Sequence, residues 1–538
     1  MSDQPNSPFQ IKLPLVLFIG LAAGVLIGSN ITSRNASPGT GDDMQKLREV
    51  LGLIKEDYVD TTNTAPLVEE AINLMLEKLD PHSVYIPASE KVQANESLQG
   101  NFEGIGIEFN IFQDTLVVVA ALPGGPSEAV GLRAGDRIVK VNEKNIASIK
   151  LTNRDVQKLL KGPKGTEVNI EVLRRASRTP IQFRIIRDKI PQYSIDAAYM
   201  VGPDVGYIGI QTFAKTTHEE FRKALKELRG KGMKKLILDL QNNGGGYMDQ
   251  AIAIADDFLP AGQKIVYTDG QEKKYNQDAI ATSEGDFEQG DLIVLVNENS
   301  ASASEIVAGA LQDNDRALLV GRRSFGKGLV QRPFELSDGS ELRLTISRYY
   351  TPSGRSIQKP YDEYDSDWLN RFNHGELFTA DSIKVKDSLR YKTANGRTVF
   401  GGGGIMPDYF VPLDTSNSSA YFNRLFQANV LREFAFNYAE QNKGELEPKG
   451  FDWYTQNFAI TDAMLNEVVA MGKRNNVEPD WKDLNKNRMR FQIFLKAEIA
   501  SRVWGRPQFF PIYNETNEAL QKALTLFDRI PELAGRKM

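Results

Sequence analysis

The chain has 538 residues, more than one hydrophobic core usually holds, so two or more domains are expected. Its 65 basic and 70 acidic residues give a net charge of −5, without the basic excess typical of nucleic-acid-binding proteins. The absence of cysteine excludes disulfides, cysteine nucleophiles and cysteine-ligated zinc sites. A His-containing catalytic triad or metal site could draw only on three histidines: His82, His218 and His374.

An uncharged segment, residues 13–28, lies near the start of the chain between Lys12 and Arg34. Its apolar length is close to the ~17 residues that can cross a bilayer. The pattern predicts an uncleaved signal-anchor over residues 1–34, that is, one N-terminal membrane helix. A cleaved signal peptide is the alternative, and a buried soluble helix is least favoured because the segment has no polar face. Both leading alternatives place the rest of the chain outside the cytoplasm, in the periplasm or outside the cell, and an anchor would hold it to the cytoplasmic (inner) membrane.

Residues 35–98 are predicted to form a linker and an N-terminal helical segment. Residues 35–43 are polar and rich in turn-forming residues. A helix over about 44–58 is predicted because Leu47, Val50, Leu51 and Ile54 recur at helical spacing. A second helix is predicted over 66–79, ending at the sequence DPHS.

Residues 99–190 are rich in glycine and β-branched residues. Within them, the stretch GGPSEAVGLRAGDRIVKVN at 124–142 predicts a short helix, a tight turn and an apolar strand, and it resembles a PDZ domain. The resemblance implies that the upstream loop, Gly104, Ile105, Gly106 and Ile107, binds the carboxylate of a peptide tail. Glycines let successive backbone N–H groups converge on one anion, and the next strand offers an edge for a peptide. The alternative is a glycine-rich hairpin in an unrelated β domain.

Residues 191–415 are predicted to form an α/β core. Apolar strands alternate with helices, which indicates a partly parallel sheet covered on both faces. The predicted strands are 205–210, 234–240, 291–297 and 317–321, and the predicted helices are 217–230 and about 247–258. Residues 361–400 are interpreted as an insertion, and 401–412 as a return to the sheet.

Residues 416–538 are predicted to be mostly helical and carry no recognisable motif. Three roles are open for this region: packing on the core, a homodimer contact, or shaping access to the cleft. The predicted fold class is therefore multidomain α/β: an N-terminal membrane helix, a helical segment, a β-rich PDZ domain with short helices, an α/β core with a partly parallel sheet, and a helical C-terminal region.

Ser302 lies where an apolar strand gives way to a helix. A hydroxyl at such a junction is exposed at the edge of the sheet, close to the free N–H groups of a helix N-terminus, which favour developing negative charge. The location suits a nucleophile. Ser302 and Glu305 also fit a capping-box pattern, so from this segment alone a purely structural role for Ser302 is an equal alternative.

Three separate blocks carry a resemblance to a known family. The sequences are LILDLQNNGGG at 236–246, SASASEI at 300–306 and FGKGLVQ at 325–331. They are similar to those of the carboxyl-terminal processing proteases, also called tail-specific proteases, over about residues 44–412. The resemblance implies that Ser302 is the nucleophile, Lys327 the general base and Gln331 its support.

The chemistry of these side chains agrees with that implication. A serine nucleophile needs a base, and lysine can serve only if its pKa falls from ~10.4 through burial or a nearby cation. Lys327, Leu329 and Gln331 alternate onto one face of a predicted strand. Gln331 could therefore orient Lys327 without adding a negative charge that would restore the high pKa.

Backbone amides are expected to form the oxyanion hole. The predicted donors are Ala303 and the glycine turn, with Gly245 and Gly246 as the positions selected. Ser300 and Ser304 are alternative nucleophiles. Asp313 is interpreted as structural, because a straight helix would place it about 16 Å from Ser302 at 1.5 Å per residue.

The function predicted from these patterns is a serine endopeptidase of the carboxyl-terminal processing type, acting through an acyl-enzyme. Its expected substrates are extracytoplasmic proteins whose free apolar tails are bound by the PDZ domain, and neither a metal nor an organic cofactor is required. One alternative is a membrane-tethered PDZ module with an inactive protease-like domain. A second is a hydrolase of small acyl substrates.

Overall fold

The computed structural model describes residues 40–122, 124–174, 177, 179–283, 285–362, 364, 366–383, 386–415 and 418–530. The chain divides into two compact units, one ending at Leu79 and the other starting at Asp80. In the first unit, the described residues form α1 (Thr40–Asp57) and α2 (Thr64–Glu77). The Asn63 side chain accepts the Ala65 N–H and so fixes the start of α2.

The predicted fold class is wrong in one element, the N-terminal membrane helix. In the part of the chain that the structure describes, no helix combines the length and apolar character needed to cross a bilayer. Helix α1 has 18 residues, but it carries Asp42 and Asp43 in its first turn and Lys55 in its last. Residues 13–28, on which the prediction was based, lie outside the described residues. The remaining parts of the predicted fold class, a β-rich domain of the PDZ type and an α/β core with a partly parallel sheet, agree with the structure.

The second unit begins with β1 (Val84–Ile86) and α3 (Lys91–Gln99), followed by the PDZ domain. Its elements are β2 (Asn101–Gly104), β3 (Ile107–Phe112), β4 (Thr115–Ala121), α4 (Pro126–Ala129), β5 (Arg137–Val141), β6 (Lys144–Asn145), α5 (Asn153–Leu160), β7 (Glu167–Leu173), β8 (Ile181–Ile186) and β9 (Asp188–Pro191).

The main PDZ sheet has the strand order β3-β4-β5-β7-β8, with β6 paired to β5. Strands β2 and β9 form a separate antiparallel ladder. The core of the domain includes Leu116, Val118, Ile138, Val156 and Ile170. Because β3 is at the edge of the sheet, one side of its backbone is open to a further strand.

The α/β core follows. Its elements are β10 (Ile195–Met200), β11 (Val205–Ile210), α6 (Thr217–Gly230), β12 (Lys235–Asp239), α7 (Met248–Asp256), β13 (Lys264–Asp269), β14 (Asp278–Ile280), β15 (Asp291–Val296), α8 (Ala303–Asp313), β16 (Leu318–Gly321), β17 (Leu329–Glu335), β18 (Glu341–Tyr350), α9 (Asp367–Asn373), β19 (Arg390–Lys392), β20 (Thr398–Phe400) and β21 (Tyr409–Phe410).

Two sheets organise this core. The first has the order β10-β11-β12-β15-β16-β21, and its strands are parallel from β11 onward. The prediction of a partly parallel sheet is thereby confirmed, including the return of the chain to it near residue 409. In the second sheet β18 pairs with β1, β13 and β17, all antiparallel. In this second sheet, β1, which follows Asp80, and β17, which follows Lys327, flank β18 on its two sides.

The C-terminal region is helical, as predicted. Its helices are α10 (Ala420–Gln427), α11 (Val430–Lys449), α12 (Phe451–Asn457), α13 (Asp462–Arg474), α14 (Trp481–Lys486), α15 (Arg488–Trp504), α16 (Phe509–Tyr513) and α17 (Glu518–Leu524). Helices α10 to α16 share their own apolar core. Helix α17 instead contributes Leu520 and Ala523 to the face of the parallel sheet that includes Ile293 and Val320.

The helical region also contacts the PDZ domain. The rings of Phe112 and Phe436 lie with their centroids 5.7 Å apart. Arg502 Nη1 donates to Glu108 Oε1 at 2.8 Å, on the edge strand β3. The helical region is therefore packed both on the protease sheet and on the PDZ domain. The homodimer expected for this region stays a prediction.

Candidate active site

Ser302 lies between β15 and α8, at the carboxyl edge of the parallel sheet. Its φ is 55°, in the left-handed region that side-chain-bearing residues rarely adopt. Such a conformation costs on the order of 1–3 kcal/mol and persists only where surrounding contacts hold it. The residue is half-buried, and the helix begins immediately after it at Ala303. The predicted strand-to-helix junction is confirmed, with a strained backbone at Ser302.

The two alternative serines are engaged elsewhere. Ser300 is fully buried, and its Oγ donates to Leu240 O at 2.7 Å. Ser304 is also fully buried, and its Oγ donates to Asn243 O at 2.9 Å. Both hydroxyls bond backbone carbonyls within the core, and of the three serines only Ser302 is not fully buried.

Glu305 links the serine and lysine segments. Its fully buried carboxylate accepts the N–H groups of Ser302 at 2.8 Å, Gly326 at 2.7 Å and Lys327 at 2.9 Å. It also accepts the Ser324 hydroxyl at 2.6 Å. Burial raises the pKa of Glu305, while these hydrogen bonds work against that rise. Glu305 of the predicted capping box therefore has two roles. It accepts the Ser302 N–H at the start of the helix, and it also holds the backbone of Gly326 and Lys327.

Tyr349 makes a second link between these segments. Its buried hydroxyl lies 3.1 Å from Ser302 O and 2.8 Å from Lys327 O. Burial raises the pKa of this phenol well above its usual value, so it stays a hydrogen-bond donor. Two buried side chains therefore hold the backbones of Ser302 and Lys327 together, one through N–H groups and one through carbonyls.

Lys327 lies two residues before β17, and its ammonium donates to Gln331 Oε1 at 2.8 Å. Burial lowers the pKa of Lys327; the carboxylates of Asp80 and Glu305 oppose this, and Arg343 adds to it. The predicted contact between Lys327 and Gln331 is present. In the described structure the side chains of Ser302 and Lys327 are not hydrogen-bonded to each other, although their backbones are linked.

Gln331 in turn donates from Nε2 to the backbone carbonyl of His82. The imidazole of His82 is hydrogen-bonded to the Tyr364 hydroxyl, and the two rings meet edge to face at 5.0 Å. Burial, followed by the charge of Lys327, lowers the pKa of His82 to about 4, so the imidazole is neutral near pH 7. His82 is not among the predicted site residues, because none of the three histidines lies in the three catalytic sequence blocks.

The glycine turn after β12 approaches Ser302 closely. A side-chain carbon at Gly245 would lie 2.8 Å from Ser302 Cβ and 3.0 Å from Ala303 N, which only glycine avoids. Gly245 N–H donates to Asn243 Oδ1 at 2.8 Å. The amide of Ala303 is in the first turn of α8, where N–H groups lack an intrahelical acceptor. The geometry thus brings the turn of Gly245 and Gly246 beside Ala303, while the Gly245 amide already has an intramolecular partner.

Asp313 lies at the other end of α8, 11 residues from Ser302. Its carboxylate pairs with Arg355 at 2.7 Å, and both side chains are fully buried. It also accepts the Ser353 hydroxyl at 2.6 Å. Asp313 therefore joins α8 to the segment after β18, consistent with a structural interpretation.

The predicted tail-binding loop lines a groove of about 510 Å³ in the PDZ domain. Gly104, Ile105, Gly106 and Ile107 line it together with Val156 and Leu160 of α5. Gly106 has a φ of 72°, and Ile105 O accepts the Ser127 hydroxyl at 2.6 Å. Helix α3 borders the same groove through Glu96, which forms an ion pair with Lys161, another residue of the groove.

Comparison with protein families gives four matches along the chain. Residues 204–366 match peptidase family S41, and residues 117–174 match the PDZ domain. Residues 27–90 match the N-terminal domain of the activating protease CtpB. Residues 421–505 match a family of unknown function, DUF8443.

This chain matches two bacterial proteins over most of their length. The carboxy-terminal-processing protease of Bartonella bacilliformis is 36% identical over 343 residues, covering 63% of this chain and 78% of the relative. The carboxy-terminal processing protease CtpB of Bacillus subtilis is 33% identical over 391 residues, covering 69% of this chain and 79% of the relative.

Solved structures include similar proteins. The photosystem II D1 C-terminal processing protease is 30% identical, with 58% of this chain and 83% of that one covered and a TM-score of 0.34. The PDZ domain of a Vibrio cholerae carboxy-terminal protease, in complex with a peptide, is 33% identical, with 17% of this chain and 97% of that one covered and a TM-score of 0.16.

The buried ion pair of Asp313 leads to a stability prediction. Asp313→Ala should lower the free energy of unfolding by about 3–5 kcal/mol, because it leaves the Arg355 guanidinium buried without a counter-charge. Urea unfolding of the whole protein, followed by far-UV circular dichroism, measures this. Asp387→Ala is the matched control, because Asp387 and its partner Arg390 are exposed, and little change is expected there. A loss of turnover in Asp313→Ala with an unchanged unfolding midpoint would contradict the structural role.

Proposed function

Since the chain belongs to the carboxy-terminal processing proteases of peptidase family S41, serine peptidases here equipped with a PDZ domain, we propose that Ser302 and Lys327 form its catalytic dyad. The dyad cleaves peptide bonds in proteins that the PDZ domain selects by their C-terminal tails. The observation that carries the assignment is the pair of buried links, Glu305 and Tyr349, between the backbones of Ser302 and Lys327.

In the first step Lys327 acts as the general base. Its neutral amine accepts the proton of the Ser302 hydroxyl as Oγ forms a bond to the peptide carbonyl carbon. The burial that lowers the pKa of Lys327 makes the neutral form accessible. The Gln331 side chain accepts one Nζ hydrogen, which leaves the lone pair of the amine free to turn toward Ser302.

The tetrahedral intermediate carries a negative charge on the former carbonyl oxygen. We assign its stabilisation to the N–H of Ala303 and to an N–H of the glycine turn at Gly245 and Gly246. The Gly245 amide would first exchange its Asn243 partner for this oxygen. The close approach of Gly245 to Ser302 and Ala303 supports this assignment.

The intermediate collapses when the ammonium of Lys327 donates its proton to the leaving amine. The carboxyl side of the substrate departs as a new peptide, and the other part stays on Ser302 as an ester. A water molecule, deprotonated by the amine, then attacks the ester and releases the acyl group. The step regenerates the Ser302 hydroxyl and requires no redox partner.

The PDZ groove supplies substrate selection in this proposal. The loop of Gly104 to Ile107 binds the α-carboxylate of the tail, and the tail adds a strand at the open edge of β3. Val156 and Leu160 give the groove an apolar wall, which favours an apolar last side chain. These features support free, apolar C-terminal tails as the recognition element.

Replacing the dyad residues tests the chemistry. Ser302→Ala and Lys327→Ala should each reduce kcat at least 10³-fold, in the range seen for serine peptidases that lose a catalytic residue. Lys327→Arg should be equally inactive, because a guanidinium does not lose its proton near neutral pH. A fluorophosphonate probe followed by mass spectrometry should label Ser302, with Ser300 and Ser304 unmodified. Full turnover by Ser302→Ala, or labelling of another serine, contradicts the assignment.

A second prediction concerns tail recognition. A fluorescent peptide with an apolar C-terminal residue and a free carboxylate should bind the Ser302→Ala protein at least tenfold more tightly than the same peptide amidated at its C-terminus. The loss follows because the amide lacks the charge that the loop N–H groups bind. Fluorescence anisotropy measures both affinities. Equal binding of the two peptides would rule out carboxylate recognition by the PDZ domain.

We also propose that the catalytic part acts outside the cytoplasm. The uncharged sequence at residues 13–28, typical of export, supports this location. Protease added to intact spheroplasts should degrade the catalytic part, whereas a cytoplasmic marker protein stays intact. Protection of the catalytic part until lysis would place it in the cytoplasm.

A further inference from the structure

A carboxylate outside the dyad organises the turn at the start of the second unit. Asp80 is buried, and its Oδ1 accepts the N–H groups of His82 and Ser83, both at 2.8 Å. Its Oδ2 accepts the Ser83 hydroxyl at 2.7 Å. Burial works to raise the pKa of Asp80, but these hydrogen bonds outweigh it and hold that pKa below its usual value. Asp80 is therefore ionised at neutral pH and fixes the backbone of residues 80–83.

The turn is attached to the sheet directly opposite Gln331. The N–H of Thr345 donates to Ser83 Oγ at 3.2 Å. Thr345 is the cross-strand partner of Gln331 in the β17–β18 pair, where the register has a bulge between Val330 and Gln331. Strand β1, which follows the turn, pairs with β18 from Arg343 to Glu341. The position of the His82 carbonyl is thus determined by contacts on both sides of the turn.

That carbonyl decides which way the Gln331 amide faces. A carbonyl oxygen can only accept, so the NH₂ end of Gln331 points at His82 O. The oxygen end then faces Lys327 Nζ, to which it is hydrogen-bonded at 2.8 Å. If the amide turned over, its NH₂ group would face an ammonium that also has only donors, and the contact with Lys327 would be lost.

We propose that Asp80 is a positioning residue for the general base, acting through the His82 carbonyl and the Gln331 amide to fix the direction of Lys327 Nζ. The inference rests on the proposed function of Ser302 and Lys327. Asp80 itself does not touch substrate in this proposal. Its role is to hold a backbone acceptor in place, and a segment that precedes the PDZ domain in sequence thereby becomes part of the active-site support.

The charge of Asp80 has a separate effect on the lysine. The charged or titratable groups that bear on Lys327 are Asp80, His82, Glu305 and Arg343. The Asp80 carboxylate favours the protonated lysine, so removing its charge lowers the pKa of Lys327 further. Activity requires the neutral amine, and it therefore rises as pH passes upward through that pKa. Loss of the Asp80 charge should move this acid limb of the pH profile to lower pH.

Three variants separate position from charge. Asp80→Ala removes the three hydrogen bonds and the charge. Asp80→Asn removes the charge but keeps an oxygen for the His82 and Ser83 N–H groups. Ser83→Ala keeps the charge but loses the link to Thr345. Asp338→Ala is the matched control, because Asp338 makes the same kind of carboxylate–serine turn with Ser340, at the far end of the β17–β18 hairpin.

The readouts are kcat, KM and the pH profile of kcat/KM on a peptide substrate, with enzyme concentration set by fluorophosphonate titration. Asp80→Ala should lower kcat on the order of 10- to 100-fold, as expected when a catalytic group is misplaced by about 1 Å, with KM little changed. Its acid limb should move to lower pH. Asp80→Asn should shift the limb with a smaller loss of kcat, and Ser83→Ala should lower kcat without a shift. Asp338→Ala should match the parent protein in all three.

A double-mutant cycle with Gln331→Ala tests the route of the effect. If Asp80 acts through Gln331, Asp80→Ala should lower kcat little further once Gln331 is gone. Additive losses would show that Asp80 does not act through Gln331 and would overturn the proposal. Parental kcat in both Asp80→Ala and Ser83→Ala would also overturn it. If Ser302→Ala or Lys327→Ala kept full activity, the proposed function itself would fail, which is a separate outcome.

Should Asp80→Ala yield no folded protein, Ser83→Ala and Asp80→Asn still decide the matter, since each removes only part of the turn. If Asp80 had a purely structural role, its variants would show fewer active sites in the fluorophosphonate titration, with an unchanged kcat per active site at every pH. A positioning role predicts the lowered kcat per site described above.

Discussion

A buried carboxylate between two chain segments is the constraint on which this active site depends. Glu305 has no exposure to water, and an ionised group in such a place is tolerated only if donors surround it. Its donors come from Ser302 on one side and from Ser324, Gly326 and Lys327 on the other. The chain cannot satisfy this charge without bringing the serine and lysine segments into contact. Folding of the core therefore also brings together the backbone segments that carry the proposed dyad.

Much of the scaffold could be predicted from the sequence, because the periodicity of strands and helices is a local property of the chain. The strand at 205–210 and the helix at 217–230 have the predicted bounds, and the contact between Lys327 and Gln331 followed from their alternation. The roles of Tyr349 and His82 were not predictable in this way. Tyr349 donates to the backbone carbonyls of Ser302 and Lys327, and His82 accepts the Gln331 amide through its own backbone carbonyl. Contacts made through the backbone leave no trace in residue type or spacing.

The glycine turn illustrates the same limit at closer range. Its sequence indicated backbone close to the serine, and the distances at Gly245 agree. Which amide of the turn has a free N–H depends on the hydrogen bond from Gly245 to Asn243, a detail of side-chain orientation. The packing of the C-terminal region was even less predictable from the sequence. Its helical periodicity was visible, yet its packing against Phe112 and Glu108 of the PDZ domain joins surfaces that have no shared pattern.

The left-handed backbone of Ser302 limits which nucleophiles this scaffold can accept during evolution. A positive φ is a genuine outlier for β-branched residues, since the second substituent on Cβ crowds the adjacent carbonyl. Threonine, the other common hydroxyl nucleophile, would add that strain to a position already unfavourable for serine. Cysteine, which is unbranched at Cβ, keeps a nucleophilic atom at the same position without that added strain. Replacement of the serine oxygen by the sulfur of cysteine is thus sterically allowed, whereas replacement of this primary alcohol by the secondary alcohol of threonine is not.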